Sequence, residues 1–194
     1  MGKSFFITGT DTGVGKTYAT IKLAKELAAQ GMTVGIMKPI SCGPAKENDA
    51  LLYKKELGLK DPLELINPVS LKHPLAPYVS ARLEKKNIDL KKIFRAFKEL
   101  KSKYAVILIE GAGGALVPIK KDYLVADLIK DMGVPVMIVA RAGLGTINHT
   151  LLTVEALKKR KIKIQAIILN GFKGELSEKT NPSVIRELTG IKKI

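Results

Sequence analysis

The chain has 194 residues, 46% of them apolar, with 33 basic and 18 acidic side chains and a net charge of +15. That length and apolar share suit one ordered domain over residues 1–194 and exclude a disordered polymer. A lone cysteine, Cys42, excludes an internal disulfide framework or a cysteine-based zinc site. The longest apolar run, Val134–Ala140, falls far short of the roughly 20 residues a bilayer crossing needs.

In chain order, Ser4–Thr8 reads as a buried strand, Gly9–Gly15 as a loop, and Lys16–Ala29 as a helix with Ile21, Ala24, Leu27 and Ala28 on one face. Gly31 stops that helix, Thr33–Met37 is the next strand, and Asn48–Leu57 is helical. Lys60–Pro77 carries Pro62, Pro68, Pro74 and Pro77 and reads mostly as loop. Asp89 caps a helix reaching about Ser102, with Ile93, Phe97 and Leu100 inward. Tyr104–Ile109, Val134–Ala140 and Ile164–Leu169 are apolar runs ending at Glu110, Arg141 and Asn170, with helices predicted between them at Leu124–Met132 and Thr146–Lys158. Runs without polar alternation suit strands covered on both faces, so the expected fold is a three-layer α/β domain of P-loop NTPase type, a mostly parallel sheet with helices on both faces. Ligands of such sheets gather at the carboxyl ends of the strands, where Lys38, Glu110, Arg141 and Asn170 are expected.

Charge alone does not point to nucleic acid. The 28 lysines and 5 arginines are scattered, tryptophan is absent and aromatics are few, so no nucleic-acid face is expected. A positive field does favour anionic small molecules such as nucleotides. Phe5-Phe6-Ile7 runs straight into a glycine-bearing loop and does not read as a signal peptide, so a soluble cytoplasmic protein is expected.

Gly9-Thr10-Asp11-Thr12-Gly13-Val14-Gly15-Lys16-Thr17, between a strand and a helix, carries the sharpest chemistry. Glycines let successive backbone N–H groups turn onto phosphate oxygens, and the helix N-terminus adds partial positive charge. Lys16 is placed to reach the β- and γ-phosphates and the Thr17 hydroxyl to ligate Mg²⁺. Strict GxxxxGK spacing asks for glycine at position 10, where Thr10 stands one residue after Gly9. Mg²⁺ takes further hard oxygens, for which Glu110, before Gly111-Ala112-Gly113-Gly114, and Asp49 are candidates; a helix cap is the other reading of Asp49.

Taken with Lys38-Pro39, Glu110-Gly111-Ala112-Gly113-Gly114 and Gly145-Thr146-Ile147-Asn148-His149, this loop resembles the dethiobiotin synthetase family, and the matching pieces span Gly9 to Asn170 in family order. The resemblance implies an ATP- and Mg²⁺-dependent ligase that carboxylates 7,8-diaminononanoate with CO₂. A carbamate forms, is phosphorylated to a mixed anhydride, and closes to dethiobiotin with release of ADP and phosphate. It implies Lys38, Lys16 and Thr12 as catalytic groups, and Mg²⁺ held by Thr17, Asp49 and Glu110. The implied nucleotide site comprises Gly13, Val14, Gly15, Lys16, Thr17, Tyr18, Asp49, Glu110, Gly111, Ala112, Gly113, Asn170 and Gly171, with Asn170 reading adenine. The implied diamine site comprises Thr12, Lys38, Ser41 and Cys42, together with Leu144, Gly145, Thr146, Ile147 and Asn148, which would hold the substrate carboxylate across a homodimer interface.

That last segment also has its own logic, since free N–H groups at a helix start bind carboxylates. Thr146 as an ordinary N-cap is compatible with it. His149 is expected to be structural, and the helix is expected to present Ile147, Leu151 and Val154 on one face. Two departures stand out: Cys42 occupies a position that relatives usually give to a hydroxyl, and relatives commonly continue past Ile194 into a segment enclosing the base. Poor base discrimination is expected in consequence. The alternative is a regulatory or partitioning P-loop ATPase, which carries a lysine early in the loop where this chain has Thr10-Asp11-Thr12.

Overall fold

Apolar strands covered on both faces build the centre of the molecule. A computed structural model describes residues 2–194, apart from the side chain of Glu47. Strand β1 (Lys3–Gly9) leads through the glycine loop into α1 (Lys16–Ala29), then β2 (Val34–Met37), β3 (Ile40–Cys42) and α2 (Asp49–Leu57). Next come α3 (Leu63–Ile66), β4 (Val69–Leu71), α4 (Pro77–Leu83) and α5 (Leu90–Lys103). They precede β5 (Val106–Gly114), the short β6 (Pro118–Lys120) and β7 (Tyr123–Leu124), and α6 (Val125–Met132). Strand β8 (Val136–Arg141), α7 (Thr146–Lys159), β9 (Ile164–Asn170) and α8 (Leu176–Thr189) complete the order.

Five strands form one parallel sheet in the order β2-β5-β1-β8-β9. Phe6, Ile107, Ile109 and Ile138 pack into the core on one face, and Ile7, Val106, Leu108 and Val139 into that on the other. Successive side chains of a strand point to opposite faces, so a strand buried on both must be apolar at every position. That is why the runs carry no polar alternation. The three-layer P-loop NTPase type of fold is thus observed.

Helix ends follow local rules. Asp89 Oδ1 accepts the Lys92 N–H at 3.1 Å to cap α5, whose Ile93, Ala96, Phe97 and Leu100 are buried at helical spacing. In α8, Glu178 Oε2 accepts the N–H groups of Lys173 and Gly174, each at 2.7 Å, and of Glu175 at 3.0 Å. One turn on, Asn181 Nδ2 donates to the Ala142 carbonyl at 2.7 Å. This helix therefore braces the loops that follow both β8 and β9.

Residues 60–77 are mostly loop, as expected, but α3 and β4 interrupt it and α4 starts at its end. Pro62 is the N-cap of α3 and Pro77 opens α4, so two of the four prolines start helices, where a missing N–H costs nothing. Between them β4 pairs in parallel with β3, Ser41 opposite Ser70. Strand β5 also runs past Glu110 to Gly114, which puts Glu110 inside the strand, opposite Ile7 of β1. On α7 the buried residues are Thr146, Thr150, Thr153, Val154 and Leu157, while Ile147 and Leu151 are only half-buried. Gly145, at φ 88°, is the N-cap, so Thr146 is the first helical residue and not the cap.

Candidate functional site

Beside the sheet's carboxyl end lies a cavity of about 700 Å³. Its lining joins residues far apart in sequence: Thr12, Gly13, Gly15, Lys16 and Thr17 from the glycine loop, Lys38, Ser41 and Cys42 around β3, Asp49 from α2, and Glu110, Ala112 and Gly113 from β5. An apolar end wall is supplied by Ile40, Pro44, Pro74, Leu75, Ala76 and Pro77.

The glycine loop turns at Gly13 (φ 73°) and Gly15 (φ 90°), in the left-handed region that L side chains resist. Gly15 is tight as well: a Cβ there would lie 1.9 Å from Asn170 Nδ2. Asn170 sits at the end of β9, and its amide donates to the Val14 carbonyl at 3.0 Å, tying that strand to the loop. Arg141, ending β8, adds a second tie, with its guanidinium 3.1 Å from Asp11 Oδ2.

Lys38 is the cavity's central cation. Only 5% exposed, its ammonium lies 2.5 Å from Glu110 Oε1 and 2.7 Å from Asp49 Oδ2. Burial alone would depress its pKa; the two carboxylates more than offset that and hold it above the ordinary lysine value. Burial conversely pushes the Glu110 carboxyl above its usual range, against the pull of Lys38. Lys16 curls onto its own loop, donating to the Asp11 carbonyl at 3.0 Å, and desolvation lowers its pKa despite Glu110 nearby. The Thr17 hydroxyl lies 3.1 Å from Glu110 Oε1 and 3.3 Å from Asp49 Oδ1. Three oxygen donors of the hard type that Mg²⁺ prefers thus converge from α1, α2 and β5.

Asn67 is a residue that sequence reasoning passed over. Buried after α3, it donates to the Lys38 carbonyl at 2.8 Å and accepts from the Ser41 hydroxyl at 2.8 Å and from Asn48 Nδ2 at 2.8 Å. It fixes the segment that carries Lys38, and it engages Ser41 from behind. Its signal, an Asn-Pro pair inside a proline-rich stretch, is indistinguishable from a turn. Cys42 faces the cavity, and burial pushes its thiol up to about 11. At pH 8 it should react with iodoacetamide roughly tenfold more slowly than a free cysteine, because the loss of thiolate outweighs the greater nucleophilicity of a more basic thiolate. A rate equal to that of free cysteine would contradict this placement.

Tyr18 is exposed on α1; Gly111 is buried in β5, its carbonyl 3.4 Å from the Lys38 ammonium, and Asn170 and Gly171 stand at the end of β9, none of these lining the cavity. Leu144, Gly145, Thr146, Ile147 and Asn148 stand apart from it too, at the start of α7. A second hollow of about 380 Å³ lies between α7 and the glycine loop, lined by Thr10, Asp11, Thr12, Leu116, His149 and Leu152 among others. Leu144, Leu152 and Leu116 are exposed.

Comparison with known proteins places the chain in a family. A family model described as an AAA domain matches residues 3–194. An ATP-dependent dethiobiotin synthetase of Thermodesulfovibrio yellowstonii is 44% identical, over 98% of this chain and 86% of its own length. Those of Aquifex aeolicus (48%, over 96% and 84%) and Methanococcus vannielii (50%, over 85% and 77%) are similarly close. Among solved structures, the cell division protein FtsY of Thermotoga maritima overlays with a TM-score of 0.60 at 20% identity, covering 100% of this chain and 60% of that one. The kinase domain of the Escherichia coli tyrosine kinase ETK gives 0.58 at 18% identity, covering 90% and 69%; both speak for the fold alone. No helix among the described residues is long and apolar enough to cross a membrane. With this loop, this buried lysine and these relatives, the chain belongs to the ATP-dependent dethiobiotin synthetase family of ligases.

Proposed function

We propose that this chain, acting as one domain over residues 1–194, converts 7,8-diaminononanoate, CO₂ and ATP to dethiobiotin, ADP and phosphate. The observation that carries the reading is the buried Lys38 ammonium, set in the same cavity as the glycine loop and between two carboxylates. One amine adds to CO₂ and loses a proton, giving a carbamate. A carbamate oxygen then attacks the γ-phosphorus and ADP departs. The second amine attacks the carbonyl carbon of the resulting mixed anhydride, expelling phosphate and closing the cyclic urea. Each step places negative charge on oxygens near the loop, and fixed cations that need no reorganisation lower such barriers most.

In this scheme Lys38 bridges carbamate and γ-phosphate, Lys16 swings from the Asp11 carbonyl to the phosphates, and Thr12 borders the diamine. Cys42 and the apolar end wall flank the same space, and the raised thiol pKa keeps Cys42 a neutral, weak donor at pH 7. Thr17, Asp49 and Glu110 would hold Mg²⁺, whose chemistry is to neutralise charge on the phosphate oxygens. Asn170 and Gly171, beside the loop, would meet the adenine. The segment Leu144–Asn148 would take the substrate carboxylate of a neighbouring subunit in a homodimer; the exposed Leu116, Leu144 and Leu152 favour such a contact. We place the protein in the cytoplasm, with small molecules and its own copy as its partners, and no nucleic acid or membrane.

Purified protein given MgATP and bicarbonate should release ADP only when the diamine is added, with one dethiobiotin formed per ADP. ADP release that ignores the diamine and responds to DNA or lipid vesicles would overturn the assignment in favour of a regulatory ATPase.

A further inference from the structure

Tyr53 has no part in the chemistry above, yet it reaches the centre of the site. It lies four residues after Asp49 on α2, so the two side chains share one helix face. Asp49 extends to Lys38 at 2.7 Å, and Tyr53 enters the core beneath α1 with Ile7, Val14, Ala19 and Leu108 around it. Tyr53 is fully buried, and its hydroxyl donates to Glu110 Oε2. A buried phenol needs a polar partner for its one polar atom, and here the partner is itself a site residue.

The two oxygens of Glu110 are therefore divided. Oε1 faces Lys38 at 2.5 Å and the Thr17 hydroxyl at 3.1 Å, and Oε2 is taken by Tyr53. The terminal torsion of a glutamate is soft and roughly two-fold, so a carboxylate held on one side only can swivel. We propose that Tyr53 is a positioning residue: it pins Glu110 so that Oε1 alone is presented to Lys38, Thr17 and the metal, and it registers α2, hence Asp49, against β5. This rests on the reading of Thr17, Asp49 and Glu110 as Mg²⁺ ligands. Neighbours that hydrogen-bond a ligating group orient it, and their loss commonly weakens metal affinity by 10- to 100-fold.

Binding of a fluorescent, non-hydrolysable ATP analogue, titrated with Mg²⁺, tests the inference without turnover. Tyr53→Phe and Tyr53→Leu should both raise the Mg²⁺ midpoint about tenfold and leave metal-free affinity for the analogue within about twofold of the parent. The two variants differ in packing but lack the same hydroxyl. Thermal denaturation should therefore rank Leu below Phe, while their Mg²⁺ midpoints coincide. Midpoints equal to the parent's in the folded variants, however far the melting temperatures fall, would reduce Tyr53 to a core residue and overturn the inference alone. Analogue binding by the parent that is indifferent to Mg²⁺ would overturn the metal-site reading and this inference with it.

Discussion

Lys38→Ala is expected to cut turnover roughly a thousandfold, about 4 kcal/mol of barrier, and to leave nucleotide affinity within a few-fold of the parent. The asymmetry follows from position. Lys38 comes from the turn after β2, outside the Gly9–Thr17 loop proposed to cradle the phosphates, and its ammonium is held against Glu110 and Asp49. In the proposed mechanism it contributes chiefly where charge builds up on the moving phosphoryl group and the carbamate, so its loss should fall on the transition state and not on the ground-state complex. Steady-state rates at saturating diamine, alongside equilibrium titration of an ATP analogue, separate the two effects. Lost nucleotide affinity with turnover preserved at saturation would mean that Lys38 serves binding and not chemistry.

Glu110→Ala should be the most destabilising change at the site. It would leave a 5%-exposed ammonium with Asp49 as its one remaining carboxylate partner among the described residues, and would strip the Tyr53 hydroxyl of its acceptor and the Thr17 hydroxyl of one of two. Removing one member of a buried pair typically costs about 3–5 kcal/mol, which in a chain of this size lowers the melting temperature by roughly 10 °C. Glu110→Gln keeps the shape and one acceptor oxygen, so it should lose less stability while still weakening Mg²⁺ dependence. Scanning calorimetry of the two variants checks the order. A Glu110→Ala protein that melts within about 2 °C of the parent would mean that the pair contributes no net stability.

Why some of this was legible before the structure, and some not, comes down to the range of the interactions involved. The strands β1, β5 and β8 show as apolar runs because burial on both faces leaves few polar positions, β9 shows as one although it is the edge strand and only its Ile167 is buried, and Asp89 marks the start of α5 by a local cap. The glycine loop is local as well, written in the residues that must take positive φ. Elements of two to four residues, such as β3, β4, β6, β7 and α3, have no period of their own and exist through their partners. The same holds for side chains. Lys38 and Glu110 could be named because each lies in a motif, and Asp49 as an acidic residue near a helix start that could serve Mg²⁺, whereas Tyr53 and Asn67 take their roles from acceptors 57 and 29 residues away. The threonine stripe of α7 misled for a related reason: β-branched hydroxyl side chains can be buried when they bond within the helix, as Thr153 does to the His149 carbonyl at 2.9 Å.

The most direct measurement is a crystal structure with a non-hydrolysable ATP analogue, Mg²⁺ and the diamine bound together. Backbone amides of residues 13–17 should surround the phosphates, with the Lys38 ammonium within hydrogen-bonding distance of the outermost one and the diamine between it and Cys42. A triphosphate bound elsewhere, or Lys38 still engaged only by Glu110 and Asp49 with both reactants in place, would contradict the account.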